Sequence, residues 1–487
     1  MYLASIVFYN LFLHPLRDYP GPILLRVTRI GYCYKLIRGT LPFDILQLHK
    51  VYGDVVRIAP DELAYNNVTA WKDIMGHRGR GAAEFKKYQH FYNSSKAMPT
   101  TIVSSNGREH ADLRRTMSHG FSESSLRNQE PLVMKYIDGL VQKLHEMSRS
   151  DTKAIDLMAW YNFTTFDIIG DLAFGEPFGC IRDSDYHPWI RGIFASVRLG
   201  TVVQTANHYP FFKKILFSLL STKSSREKKA HNLVMATEKL QRRIAAGSKQ
   251  ERPDLIEGLL KKKDEMGLSM PQLIANSNTL IIAGSETTAT LLSGVTYQLL
   301  KSGHALRTLT EEVRSRFKAS SDINIVSVGQ LPYMMACLNE TLRIYPPVAS
   351  GLPRVTPASG ATICGRLVPG NVSHQSNSTV VAIHQYAIHN NEKYFKDPLN
   401  FHPERFLGDT KFASDNRDAF QPFHIGPRNC IGRNLAYVEM KLILAQIVWH
   451  FDLELAEESQ GWAEKQKIFI LWDKAPLMVH LRAVKRS

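Results

Sequence analysis

Apolar positions along most of this chain recur with a helical period, and only a few short stretches alternate as strands do. Met134 to Met147 and Phe163 to Leu172 read as helices, the second stopped by Gly175-Glu176-Pro177. Leu435 to Phe451 reads as a further long, amphipathic helix. The longest candidate takes Ser269 as N-cap, carries Pro271 in its first turn and runs to Leu300, ahead of Gly303. Some thirty residues span about 45 Å, enough to cross a large domain. With so few charges, that helix must be buried over much of its length. Val55 to Ala59 and Glu62 to Tyr65 predict two short strands turning at Pro60-Asp61, and Thr379 to Ala382 predicts another. The pattern is that of a mainly α fold with small β-sheets.

Both the start of the chain and its interruptions change the picture. Met1 to Leu16 carry no Lys, Arg, Asp or Glu. The apolar part, Tyr2 to Leu13, is broken by Asn10 and is shorter than the ~20 residues that span a bilayer. It lacks the basic flank and small-residue cleavage site of a signal peptide. His14 to Pro22 then reads as a stiff, proline-set hinge. The chain has 487 residues, a length that favours two or three domains, yet no linker or internal repeat divides it. We therefore expect a short apolar segment and hinge over 1–22 and one large domain over 23–487. Tyr209 to Phe217, apolar with two lysines inside, suits a surface helix dipping into lipid headgroups, or ordinary core packing. Asn371 to Ser378 reads as an extruded polar loop.

Composition narrows the function. The five cysteines are odd in number and far apart, which argues against a disulfide scaffold and for a reducing compartment. A net charge of +15 would suit nucleic acid, but no zinc, helix-turn-helix or RNA-binding motif accompanies it. Anionic lipid or an acidic redox partner explains the excess better, with a merely solvated basic surface as the plainer alternative.

The candidate chemistry centres on Phe423-His424-Ile425-Gly426-Pro427-Arg428-Asn429-Cys430-Ile431-Gly432. A thiolate just ahead of a helix gains from the helix dipole and its free N–H groups. Gly426 and Gly432 would let the backbone turn tightly against a flat ligand, and Arg428 offers a forked donor for a carboxylate. In the middle of the long helix stands Ala283-Gly284-Ser285-Glu286-Thr287-Thr288. A glycine there costs about 1 kcal/mol, so something should offset it. Hydroxyls that back-bond a helix can open its ladder locally. Alone, the hexamer could be a packing notch, as Cys430 alone could be a buried structural cysteine. Glu340 and Arg343 share a helix face that ends at Tyr345-Pro346-Pro347, and Pro403-Glu404-Arg405-Phe406 follows downstream.

These motifs together resemble the cytochrome P450 family, in particular its loop F-x-x-G-x-R-x-C-x-G and its helix motif [A/G]-G-x-[D/E]-T-[T/S]. The resemblance implies a single large helical domain around heme b, with the Cys430 thiolate as proximal iron ligand and Phe423, Gly426, Arg428 and Gly432 shaping the haem loop. It assigns Thr287 to oxygen activation and Glu286 to proton relay, with Ala283 and Gly284 leaving room for dioxygen. It implies a buried structural triad of Glu340, Arg343 and Arg405. His110 and Arg114 match a propionate-binding helix, and Arg354 a propionate-binding strand arginine. By the same resemblance the substrate pocket is lined by Phe85 to Ile102, the central helix, Val348 to Leu352, and Phe469 to Ile470.

The chain looks most similar to fungal microsomal members, among them the isotrichodermin C-15 hydroxylase branch of secondary metabolism. In such relatives the strand at Thr379 follows Pro369-Gly370 almost at once, so the 371–378 insertion bears on that strand's pairing. The expected function is hydroxylation or epoxidation of an apolar small molecule, terpenoid or polyketide-like. Electrons would come from NADPH-cytochrome P450 reductase, with cytochrome b5 as a further donor. The expected setting is the endoplasmic reticulum membrane, with the catalytic domain facing the cytosol. A haem-thiolate isomerase or dehydratase, or a non-catalytic haem protein, would also keep Cys430.

Overall fold

A computed structural model describes residues 1–79, 82–92, 98–149, 153–209, 211, 213–214, 223–246, 254–370 and 379–485. Its longest element is the helix Met270–Lys301. Ser269 caps it in a reciprocal capping box with Gln272, and Pro271 sits in its first turn, where a missing N–H costs nothing. The sequence placed this start correctly. From Ala289 to Tyr297 every residue is buried, and Leu291, Leu292, Val295 and Leu299 are each 1% exposed or less. Each such side chain contributes about 1.5–3 kcal/mol relative to exposure.

The main partner of this helix is Leu157–Phe174, which contains the predicted Phe163 to Leu172. Asp156 caps its start by accepting from the Ala159 N–H, and Gly175 ends it at φ 73°, a left-handed turn that glycine takes without strain. Gly284 lies at their crossing, where an added Cβ would fall 2.9 Å from Ile169 Cδ1. The glycine therefore serves close helix packing rather than room for dioxygen. Glu123–Ser148 extends the predicted Met134 to Met147 toward the N-terminus and packs on the same core. Arg433–His450 starts two residues before the predicted Leu435 and is buried on nearly every side from Leu442 to Trp449, so it is a core helix rather than an amphipathic one.

Strands Val55–Ala59 and Glu62–Tyr65 pair antiparallel with the predicted bounds. They open a five-stranded sheet that continues through Val380–Ile383, Arg354–Val355 and Lys86–Lys87. Residues 371–378 lie outside the described residues, but the chain on either side is tied together. Thr379 Oγ1 donates to Pro369 O at 2.6 Å, and the Thr356 N–H to Thr379 O at 2.9 Å. The strand after the insertion keeps both neighbours.

The His14 to Pro22 segment is not a free hinge. Leu16 and Tyr19 are buried, the Arg57 N–H donates to Pro20 O at 2.7 Å, and Arg57 Nη1 donates to Asn10 O at 2.9 Å. Tyr2–Phe8 is an α-helix that continues as a π-turn over Tyr9–Leu13. Among the described residues no helix is long and apolar enough to cross a membrane. Most of Tyr209 to Phe217 falls outside the described residues.

Two buried imidazoles accept backbone N–H groups around the site, and one of them, His389, reaches the segment ahead of Cys430. His384 Nδ1 accepts from the Gly351 N–H at 3.0 Å, and His389 Nε2 accepts from the Gln421 N–H at 3.2 Å. Burial lowers each ring from 6.5 to about 3. Below pH 6.5 the unfolded chain therefore binds protons that the folded chain does not, so stability falls with pH until about pH 3. Denaturant midpoints at pH 7 and pH 5 should show this loss. His384→Asn, whose amide oxygen accepts without titrating, should show a smaller one.

Candidate active site

The cysteine loop is fixed from both ends. Gln385 Nε2 donates to Gln421 O at 2.9 Å and to Pro422 O at 3.1 Å, and the Cys430 N–H donates to Phe423 O at 2.9 Å. Gly426 sits at φ 76°, and a Cβ there would lie 2.0 Å from the Met75 carbonyl oxygen, so only glycine fits. Gly432 differs: it caps the following helix at φ −87°, a conformation open to any residue. An added Cβ there would meet nothing nearer than Phe121 at 3.8 Å, so packing within the chain does not require glycine at this position.

Cys430 and Phe423 line a cleft of about 210 Å³. Ala283, Thr287 and Leu291 of the long helix line it too, with Val348 and Leu352. Burial pushes the Cys430 thiol up, against the Gly432 N–H, Arg114 and Arg433, which pull it down. The helix-end field is thus the smaller effect, and a metal cation bound at the sulfur would favour the thiolate. Arg428 also borders a second cavity of about 320 Å³, lined in addition by Met75, Glu84, His110 and Arg354. His110 is held neutral, lowered to about 4 by burial and by the positive charges of Lys87, Arg114 and Arg354.

The structure brings Cys430, Phe423, Arg428, Ala283 and Thr287 to one cleft and places His110 and Arg354 in the cavity next to it. Arg114 is instead bound to the loop itself, with Nη1 donating to Asn429 O at 2.6 Å. Thr287 Oγ1 donates to Ala283 O at 2.6 Å, yet the helix stays α-helical throughout, so its ladder is not opened. Glu286 does not share the cleft with Thr287. One residue turns a helix by about 100°, which aims Glu286 into a different cavity, of about 420 Å³. There it pairs with Lys474, which also donates to Thr290 Oγ1 at 2.7 Å.

Two residues of the expected pocket stretches lie elsewhere. Phe85 lines the cavity with Arg354, and Phe469 is buried beside Gly39. Pocket-lining roles that sequence patterns did not signal belong to His424, with its ring edge-on to Trp71 at 5.0 Å, and to Lys474. Contacts distant in sequence create both.

Glu340, Arg343 and Arg405 meet in the core, each with a fully buried side chain. Glu340 accepts from Arg343 at 2.7 and 2.8 Å, from Arg405 at 3.2 Å and from the His402 N–H at 3.0 Å. Asp415 is a fourth member, paired with Arg405.

The Cytochrome P450 family model matches residues 20–481, and the chain belongs to that family. It is 45% identical over 480 residues to cytochrome P450 monooxygenase prhB of Penicillium brasilianum, covering 99% of this chain and 96% of the relative. It is 43% identical over 476 residues to cytochrome P450 monooxygenase astJ of Aspergillus oryzae, covering 97% and 93%. Against cytochrome P450 monooxygenase astA of Talaromyces wortmannii it is 42% identical over 482 residues, covering 99% and 95%.

The family carries haem on a cysteine thiolate and works with redox partners and small-molecule substrates. The residues present fit that group. A thiol opens into a mostly apolar cleft, and two buried guanidinium atoms nearby, Arg354 Nη1 and Arg428 Nε, have no hydrogen-bond partner. Unpaired buried donors of this kind are what the carboxylates of a haem would satisfy.

Replacing Glu340 by Gln leaves two buried guanidinium groups around a neutral amide. The expected loss is about 3 kcal/mol or more, read as a drop in the denaturant midpoint at unchanged slope.

Proposed function

We propose that this chain is a haem-thiolate monooxygenase of fungal secondary metabolism, in which Cys430 ligates the iron and Thr287 handles the proton on the opposite wall. One observation carries the reading: Cys430 and Thr287 line the same cleft, the first on a hydrogen-bonded loop and the second on the long core helix. Bound haem supplies the reductive activation of dioxygen, and a thiolate ligand favours O–O cleavage. The balanced reaction joins substrate, dioxygen, NADPH and a proton to give oxygenated product, water and NADP⁺. The protein contributes position and exclusion of water. Leu291, Val348 and Leu352 make the cleft apolar, which suits a terpenoid or polyketide-like substrate. The isotrichodermin C-15 hydroxylase branch remains the finer reading of its chemistry.

Thr287 Oγ1 can exchange its bond to Ala283 O for one into the cleft at little cost, because that carbonyl keeps its helical partner. Glu286, paired with Lys474 in the other cavity, takes no direct part in this exchange. Arg354, Arg428 and His110 line the neighbouring cavity and would hold the carboxylates of bound haem. Electrons come from NADPH-cytochrome P450 reductase, with cytochrome b5 as a second donor, and the net charge of +15 suits an acidic partner.

The test is spectral and stoichiometric. Reduced protein under carbon monoxide should show the red-shifted Soret band of a thiolate ligand, and a histidine-type band would end the assignment. Thr287→Ala should keep haem and NADPH oxidation while product per NADPH falls severalfold and hydrogen peroxide rises. Full coupling in that variant would remove Thr287 from proton handling.

We place residues 1–22 as an apolar segment ahead of the 23–487 domain, lying on the endoplasmic reticulum membrane with the domain facing the cytosol. Tyr2, Leu3, Phe8, Phe12 and Leu13 are exposed, as are Ile23, Leu24, Ile30 and Tyr34 of the two helices that follow. Apolar residues this numerous at one end of a chain suit an interface. Wild type should sediment with microsomes, and Phe8→Ser with Phe12→Ser should shift it measurably to the supernatant. Full recovery of wild type in the soluble fraction would refute the placement.

A further inference from the structure

Glu286 leaves the long helix Met270–Lys301 into a cavity of about 420 Å³ that Cys430 and Thr287 do not line. A volume of this order is that of a small-molecule site. Its walls come from three further segments: Met158 and Asn162 of Leu157–Phe174, Phe194 and Val197 of the helix Pro188–Asn207, and Leu471 and Trp472 near the C-terminal end. Most of that wall is apolar.

Two oxygens in the wall have no donor. Glu286 is 3% exposed; its Oε1 takes the Lys474 ammonium, and its Oε2 has no partner. Asn162 is 1% exposed; its Nδ2 donates to Met158 O at 3.1 Å and to the Tyr186 hydroxyl at 3.2 Å, and its Oδ1 has no partner. The first of those bonds fixes the amide's orientation, because a carbonyl can only accept. A buried oxygen without a donor is destabilising, so two of them beside one cavity mark it as a place that receives donors.

The demand is not for a cation. Lys474 already neutralises Glu286, and Arg198 pairs with Asp473 at 2.5 Å on the more exposed edge of the cavity. Each carboxylate in the wall therefore has its own positive partner. What the wall suits is a neutral donor on an apolar body.

We propose that this cavity is a second ligand site, separate from the reaction cleft, for an apolar alcohol. The hydroxyl donates to Glu286 Oε2 or Asn162 Oδ1, and the skeleton packs against Phe194, Val197 and Trp472. The same hydroxyl accepts the third proton of Lys474, whose other two go to Glu286 and to Thr290 Oγ1. A hydrocarbon offers no donor, so the site tells hydroxylated from unhydroxylated forms of one skeleton. Hydroxylation of an apolar molecule yields this class of ligand, which makes the cavity a place where product is held off the reaction cleft.

The test titrates ferric holoprotein with 2-adamantanol and with 2-adamantanone, one skeleton bearing a hydroxyl or a carbonyl. Calorimetry reads all binding, whereas the Soret band reads only what enters the haem cleft. The alcohol should give a calorimetric event without a Soret change, about tenfold tighter than the ketone, which accepts from Lys474 but donates nothing. Val197→Trp, filling the cavity from a half-buried position, should abolish that event while circular dichroism shows the fold retained. Asn162→Leu should weaken it severalfold. The absence of a Soret-silent event in wild type, or equal affinities for the two probes, would overturn the site and leave its acceptors to water. Alcohol binding that survives Val197→Trp unchanged would overturn it too. Because the wild-type comparison needs no variant, misfolding of either one does not shelter the proposal.

Discussion

Everything near the site depends on one buried carboxylate. Glu340 accepts from Arg343 on its own helix, from Arg405 on a later turn and from the His402 backbone. Arg343 then donates onward to His389 O and Pro398 O, and Arg405 to Lys396 O. A chain that wanders through turns from Asn390 to Pro422 is thereby fixed to the helix Pro332–Ile344. Ion pairs of this kind add little net stability, since desolvation cancels most of the attraction. Their effect is geometric: broken backbone polar groups in an irregular stretch find partners at defined places. The cysteine loop begins where that stretch ends, so its position is set by a charge network that it does not touch.

The second constraint is the close crossing of Met270–Lys301 with Leu157–Phe174. Gly284 permits it on one side, and Gly294 makes a similar allowance for Tyr345, whose Cδ1 would lie 2.6 Å from an added Cβ. Small residues in a long helix thus buy proximity twice.

Much of this was legible in the sequence. The N-cap at Ser269, the bounds of the first two strands and the glycine stop at Gly175 depend on neighbours within a few residues, which local pattern records well. Gly426 was also readable, though its reason, the Met75 carbonyl, was not. What escaped was set by contacts between distant segments. The hexamer around Glu286 gave residue types but not which face met Lys474, some 190 residues on in sequence. Leu435 to Phe451 looked amphipathic because helix-period counting cannot see that packing surrounds it on all sides. The stretch His14 to Pro22 read as a hinge because prolines stiffen a chain whether or not anything covers it. Arg57, on a strand that the same reading had located, is what covers it.

The tie between Thr379 and Pro369 carries a consequence for how this fold can vary. It brings the two ends of the 371–378 segment together by a hydroxyl–carbonyl bond, and Thr356 Oγ1 lies 3.3 Å from both Pro369 O and Thr379 O. Once the ends of a loop are pinned, each doubling of its length costs only about 0.6 kcal/mol. Length at that point is therefore nearly free to drift between generations without disturbing Arg354 one strand away. The same property makes it a natural port for engineering, a place to graft an epitope or a reporter while the chemistry next door goes on unaltered.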